Sequence, residues 1–410
     1  EAPQSWGPEV TPETTSRPSI AVLPFERAGD ATGHATIADA LPHDLIAAMS
    51  RLRWLFVTAR GSSFRLRGPG VDPIEAGRLL GVHYCVAGTV EVAASRLAVV
   101  VELIDVRNGE VVWADRFEDR VEEVHGIRAG ILSRTLVALE LQVPLHEAKL
   151  ARLAVSENLD AWSSYHLGLQ HMYRFNRRDN AVALDLFERA AAQDRQFARA
   201  RAGLSFVHFQ NAFLRYTIDP AGEVELARRF ADQGLEMDPL DPFVQLAMGR
   251  SYWLKGDLDA SHRWLRQAVE SSPSYAQGLY ALALVETFEG NGQAGQAHVD
   301  LAMRLSPLDP LHYAMQATRA LSHLEQNDQR EAVAWAERAA RAPGAHVLIA
   351  MIAAAISEVA GDPKRAGDWA RNVRSRDPAL TREHFFRAFP MREHPVRTSL
   401  DAALERLHFE

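Results

Sequence analysis

MDPLDP at 237–242 and LSPLDP at 305–310 are near-identical hexapeptides set 68 residues apart. Between them lies ESSPSY at 270–275, so Pro239, Pro273 and Pro307 fall at intervals of 34 and 34. Aspartates repeated in this way look at first like metal ligands. Equal spacing of the prolines points instead to unit boundaries. Proline has no N–H and clashes with the preceding turn, so it ends a helix. On this reading Pro239 and Pro307 each stop one helix, and Asp241-Pro242 and Asp309-Pro310 each start the next.

Working backwards from Pro273, Ala268, Leu265 and Ser261 precede it by five, eight and twelve residues, with Tyr252, Gly249 and Met248 further upstream. The unit ending at Pro307 puts Ala302, Val299, Gly295, Ala283 and Leu282 at matching offsets, and the unit ending at Pro378 puts Ala370, Ala366 and Ala354 there. An earlier unit joins AWSSYHLGLQ (161–170) to ALDLFERAAAQD (183–194) through Leu167, Gly168, Ala183, Phe187 and Ala190. The unit at 197–239 carries about ten extra residues around RYTIDPAGEV (215–224), read as a loop insertion, and 310–344 supplies the fifth unit. This is the layout of the tetratricopeptide repeat: a helix with Leu-Gly and an aromatic, a turn, a helix with small, large and small residues, then proline. About six units are expected over 158–378, forming an all-α solenoid.

The small residues have a packing role. Gly249 and Ala268 let neighbouring helices approach closely, where larger side chains would splay them. Asp257 after Gly256 is an N-cap for the second helix of its unit. The segment 379–410 breaks the period and is expected to cap the open end of the stack.

The chain has 410 residues, 47% of them apolar and 24% charged, with a net charge of -8. A negative chain of this kind is a poor candidate for nucleic-acid binding through its bulk surface, because phosphate binding needs a basic face. With Cys85 as the one cysteine, no intramolecular disulfide can form. The first 18 residues are polar and Pro-rich, lack the form of a signal peptide, and read as a linker following something upstream. The apolar run VLIAMIAAAI (347–356) is half the length a membrane span needs and reads as a buried helix. These features together suggest a cytoplasmic protein.

The N-terminal third mixes strand and helix patterns. SIAVLPF (19–25) suits a buried strand, 35–52 has a helical stripe, and WLFVTAR (54–60) is strand-like. Asp72, Pro73 and Gly81 mark the start and end of a short helix. Residues 82–118 alternate, giving three antiparallel strands at about 83–93, 96–106 and 110–117, with Asn108-Gly109 as a two-residue hairpin signal. A helix is expected at 119–142, with Val121, Val124, Ile127, Ile131 and Leu132 on one face.

The ordered blocks SIAVLPF, ADALPHDLIAAMSRL, FVTARGSSF, LGVHYCVAGTVE and LIDVRNGEVVWADRF resemble the TolB N-terminal-like domain over roughly 19–142. The segment ERAGDATGHAT departs from the acidic or Asn-rich stretch usual in that family. The resemblance implies an α+β domain, a mixed sheet with helices, over 19–145. It also implies a context. Such domains often follow a winged-helix DNA-binding domain, as in CadC-like regulators, or a class III adenylate cyclase domain, and precede tetratricopeptide repeats. A non-catalytic sensory and interaction region of a one-component transcriptional regulator is the leading expectation, with DNA contacted only by an upstream domain. The alternatives are the regulatory region of a class III adenylate cyclase and a free-standing scaffold of the cell envelope.

No catalytic residue, metal site or cofactor is expected. GNGQAG (290–295) matches a dinucleotide loop literally but follows a helix, where a repeat turn belongs. His166, His171 and His208, and the two Arg-Glu-His stretches at 382–384 and 392–394, have no zinc spacing. GSSF (61–64) lacks a nucleophile elbow, and Arg51, Arg53, Arg60, Arg65 and Arg67 read as a solvated rim. The sharper candidate is aromatic. In the repeat register the first helices line a concave face carrying Trp162, Tyr165, Tyr173, Phe243, Arg250, Trp253, Tyr280 and Phe288. An aromatic groove with an arginine suits a protein partner, a peptide or a small ligand, and a homodimer is compatible with it.

Overall fold

The computed structural model describes residues 18–28, 35–68, 70–93, 96–120, 124–153, 160–307 and 309–410. The linker expected at 1–18 lies outside them save Pro18, as do Val121, Leu308 and most of the segment that departs from the family pattern. The chain divides into two compact units, Glu1–Lys149 and Leu150–Glu410.

The first unit is a mixed sheet with helices. Its elements are β1 (Ser19–Val22), β2 (Glu26–Ala28), α1 (Ala35–Met49), β3 (Phe56–Val57), α2 (Arg60–Ser63), α3 (Pro73–Leu80), β4 (Tyr84–Ala93), β5 (Arg96–Asp105), β6 (Val111–Arg120) and α4 (Val124–Leu153). The strand order is β3-β1-β4-β5-β6, and β2 also pairs β4. β1 runs parallel to both neighbours and is buried throughout, which explains its unbroken apolar sequence. β4, β5 and β6 are antiparallel, and Leu97, Val99, Val101 and Leu103 alternate into the core. Asp72 caps α3 by accepting from the Ile74 N–H at 2.9 Å, and Gly81 closes it in the left-handed region at φ 64°.

Three expectations change here. The strand at 54–60 shrinks to two residues, because β3 pairs only at the end of β1. The hairpin at Asn108-Gly109 is a four-residue loop: Asp105 and Glu110 face each other, and Gly109 (φ 74°) donates back to the Asp105 carbonyl at 2.8 Å. The last helix does not start at 119, since β6 runs to Arg120; it continues through Pro144 to Leu153. Buried His146 and Glu147, tied to the β4–β5 side of the sheet, hold the turn beyond that proline.

The second unit is a series of helical hairpins: α5 (Ala161–Met172) with α6 (Arg177–Gln193), α7 (Ala198–Phe213) with α8 (Pro220–Met237), α9 (Pro242–Leu254) with α10 (Leu258–Ser271), α11 (Ala276–Phe288) with α12 (Gly292–Leu305), α13 (His312–Glu325) with α14 (Gln329–Arg341), and α15 (Val347–Val359) with α16 (Pro363–Arg376). α17 (Arg382–Ala388) and α18 (Pro395–Arg406) complete the chain. The repeat positions act as their chemistry requires. A Cβ on Gly168 would lie 2.7 Å from Phe187, and one on Gly249 would lie 2.7 Å from Leu265. Ala190, Ala268 and Ala302 are fully buried. Tyr252 is half-buried under the Arg228 guanidinium, 4.2 Å from its ring centre.

The prolines work through the residue before them. α8, α10 and α12 end two residues ahead of Pro239, Pro273 and Pro307, and the intervening Asp238, Ser272 and Ser306, with ψ values of 89°, 92° and 71°, have left the helical region. The two hexapeptides lead into their next helices differently. Asp241 caps α9 and Pro242 is its first residue. Asp309-Pro310 does not start α13; a further turn intervenes and the helix begins at His312. The expected loop insertion is mostly helix. Only 214–219 is turn, Asp219 caps α8, and Pro220–Val224 belong to the first turns of that 18-residue helix.

First and second helices bury themselves differently. α11 is buried at every position and α15 at all but its ends, whereas α10, α14 and α16 bury one stripe. The run at 347–356 is thus core, and among the described residues no helix is long and apolar enough to cross a membrane. The array also coils on itself. The Phe175 and Phe213 rings meet His346 of the sixth hairpin at 6.2 and 5.6 Å, and the Tyr173 hydroxyl donates to Gln277 Oε1 at 2.7 Å. The C-terminal segment does more than cover the end. α18 packs on α15, while the residues between α17 and α18 run back over α9 and α11.

Candidate functional site

The coiling brings the inner side chains of several hairpins together. Phe206, Phe209 and Phe213 share one side of α7 by their helical spacing, and Phe209 and Phe213 stack at 5.3 Å. Trp253 of α9 stands edge-on to Phe209, Phe213 and Phe288 at 5.4–5.8 Å. Its Nε1 donates to the Ala388 carbonyl at 2.7 Å, and the Arg392 N–H donates to the Phe288 carbonyl at 2.9 Å. These two bonds seat Phe389 against Phe213 and Phe288. Arg392 adds ion pairs to Asp259 and Glu289. Burying Phe389 stabilises this arrangement by about 2 kcal/mol.

Behind Phe389 lies a cavity of about 30 Å³, lined among others by Arg250, Trp253, Tyr280, Tyr313, His346 and Phe389. Arg250 is 3% exposed, with its guanidinium 4.1 Å from the Phe206 ring centre and 5.3 Å from that of Phe209. Among the described residues no carboxylate lies within ion-pair distance of it, and its Nε makes no hydrogen bond. Burial lowers its pKa. Arg199, one hairpin earlier on α7, shows the ordinary solution: its Nε donates to Asp241 at 2.6 Å. Tyr313 is 5% exposed and its hydroxyl likewise makes no hydrogen bond among the described residues. Burial, with Arg376 nearby, pushes His346 down to about 3, so it is neutral. Burial raises Tyr280 to about 12.

Of the eight side chains expected on an open concave face, seven are buried and Tyr173 is half-buried. The structure brings Arg250, Trp253 and Tyr280 together on the cavity, with Phe288 packed on Trp253. Trp162 and Tyr165 form a separate cluster with Phe197, at 5.5 and 5.0 Å. Phe243 and Tyr173 pack on Phe206. The expected aromatic groove is therefore a small, largely buried chamber, because the array curls and its own C-terminal segment covers the inner face. Phe209, Phe213, Tyr313, His346 and Phe389 complete it without having been singled out in the sequence. The i, i+4 pair Phe209 and Phe213 was the available signal.

The other sequence motifs have local roles. His171 bonds Asp179 and His208 bonds Glu223, while His166 is buried among Trp162 and Tyr165. His384 completes the capping box of α17. Arg60 and Arg67 both lie over the Phe64 ring. GNGQAG forms the turn and first residues of α12, with Asn291 as its cap. No cluster suited to a metal ion occurs among the described residues.

A polar cluster in the first unit went unnoticed in the sequence, since its members come from β4, β5, the loop after β5 and α4. Arg107 donates to Asp105, to the Tyr84 hydroxyl and to Glu147 at 2.8–3.2 Å, and His146 bonds Asp105 at 2.8 Å. Burial alone would raise the Asp105 carboxyl, but the hydrogen bonds from Arg107 and His146 outweigh it and hold it below its usual range. Every charge in this cluster has a partner.

No family model matches the chain. It is 26% identical over 262 residues to "Putative adenylate cyclase 3" of Rhizobium meliloti (strain 1021), a match covering 63% of this chain and 44% of that protein. The chain thus spans less than half the length of that curated relative. Among solved structures, Cut9 with Hcn1 of the APC/C has TM-score 0.44 at 14% identity, covering 70% of this chain and 49% of that one. TTC0263, a tetratricopeptide protein of Thermus thermophilus, has TM-score 0.37 at 20% identity, covering 48% and 98%. Pseudomonas aeruginosa pilF has TM-score 0.38 at 16% identity, covering 53% and 92%.

Proposed function

We propose that this chain is the non-catalytic regulatory and protein-interaction region of a larger bacterial cytoplasmic signalling protein, with a class III adenylate cyclase domain as the catalytic part. The observation that carries this reading is the 26% identity over 262 residues to a protein named as an adenylate cyclase, of which this chain spans 44%. The resemblance of 19–142 to the TolB N-terminal-like domain supports the same architecture. That resemblance alone equally supports a winged-helix transcriptional regulator as the parent.

The array then works as a two-state element. Its covered form is one arrangement, and release of residues 385–394 from α9 and α11 is the other. A ligand, a partner protein or a second protomer that prefers one of them biases the catalytic domain. The test is on the full-length gene product. Synthesis of cyclic AMP from ATP is expected, and deleting 158–410 is expected to change its rate by about fivefold or more. An upstream domain that binds DNA and makes no cyclic AMP would favour the regulator instead.

A further inference from the structure

We propose that the chamber is a binding site for a small aryl carboxylate, with the carboxylate on the Arg250 guanidinium and the Tyr313 hydroxyl and the ring in the place Phe389 fills. The inference gives a ligand class to the two-state element above and rests on that reading only for its regulatory consequence.

The first support is electrostatic. A buried arginine is ordinarily paired, as Arg199 is with Asp241. Arg250 is more deeply buried than Arg199, faces the cavity, and has the Phe206 and Phe209 rings against its guanidinium but no carboxylate within ion-pair distance among the described residues. Asp309 acts on it through space without pairing, and its oxygens are engaged by the Leu311 N–H at 2.8 Å and the Ser306 hydroxyl at 3.0 Å. One unpaired guanidinium calls for one negative charge, and its planar fork fits a carboxylate. The Tyr313 hydroxyl, also unbonded on the same cavity, is a neutral donor for that group.

The second support is shape. About 30 Å³ holds a water or two and no organic anion. The side chain that covers the chamber is a phenyl ring, edge-on to Phe213 and tilted against Phe288, and it comes from the segment outside the repeat. A ligand ring of the same size inherits those contacts. Its entry requires the two hydrogen bonds through Ala388 and Arg392 to open, so occupancy and release of the segment are linked. The small volume of the chamber favours a small molecule over a polypeptide.

The test is calorimetric titration of the 410-residue chain with 3-phenylpropionate, and with its neutral amide as control. Saturable binding of the acid, at least about tenfold tighter than the amide, is expected. Phe389→Ala is expected to tighten it about tenfold by removing the competing ring. Arg250→Met is expected to abolish it while leaving the ligand-free melting temperature unchanged or higher, because an unpaired buried charge is removed. Tyr313→Phe, which keeps the packing, is expected to weaken binding about fivefold and serves if Arg250→Met does not fold. No saturable binding up to roughly 10 mM by either wild type or Phe389→Ala overturns the proposal. So does equal affinity for acid and amide, or full affinity in Arg250→Met or Tyr313→Phe. Titration of the isolated chain reads no cyclase output, so its failure is distinct from failure of the functional reading.

Discussion

Asp241 and Asp309 hold the same place in two near-identical hexapeptides and live in different electrostatic settings. Asp241 caps α9 and accepts from Arg199. Asp309 is equally buried but has neutral donors, and burial raises it to about 6 despite them. The sign comes from linkage. A carboxyl whose folded pKa lies above its unfolded value binds more protons in the folded state. Its contribution to stability is therefore full below about 4 and declines as pH rises towards about 6. Asp309→Asn keeps an acceptor for the Leu311 N–H and carries no charge. It is expected to raise stability by about 1–2 kcal/mol near pH 7 and to change little near pH 4. Urea melts at the two pH values check this; equal effects at both would refute it. Sequence alone could not separate the two aspartates, because what differs is a cation contributed from α7.

At the scale of elements, the second helices share a rule that only two of the first helices, α5 and α9, follow. Asn176, Asp219, Asp257, Asn291, Asp328 and Asp362 each precede a second helix and accept from a backbone N–H three residues on. Among the first helices, α7, α11, α13 and α15 have no side-chain cap and are held by burial. Asp257→Ala is accordingly expected to cost about 1 kcal/mol, seen as a lower urea midpoint with unchanged slope. This part of the fold was legible: a proline beat of 34 residues, small residues at contact points, and a cap at Asp257 are local signals. The closing of the chamber was not. It depends on small rotations summed over six hairpins and on a segment outside the period, which no local pattern encodes. Arg250, Trp253 and Tyr280 were found because they obey the repeat register. Phe389 was missed because it has none, and Phe209 and Phe213 because their hairpin is lengthened.

For the whole molecule, the chain is mostly helical, with a small mixed sheet confined to the first unit. The second unit has converted the surface on which a repeat array usually offers contacts into a second core. The protein's own C-terminal segment covers that core. Hydrogen exchange of the segment joining α17 and α18, read by mass spectrometry on the 410-residue chain, tests this most directly. Peptides spanning 385–392 are expected to exchange as slowly as the ends of α11, to which Arg392 is bonded, and to speed up in Phe389→Ala. Exchange at the rate of an unstructured tail in the wild-type chain would contradict the covered core, since the chamber would then stand open.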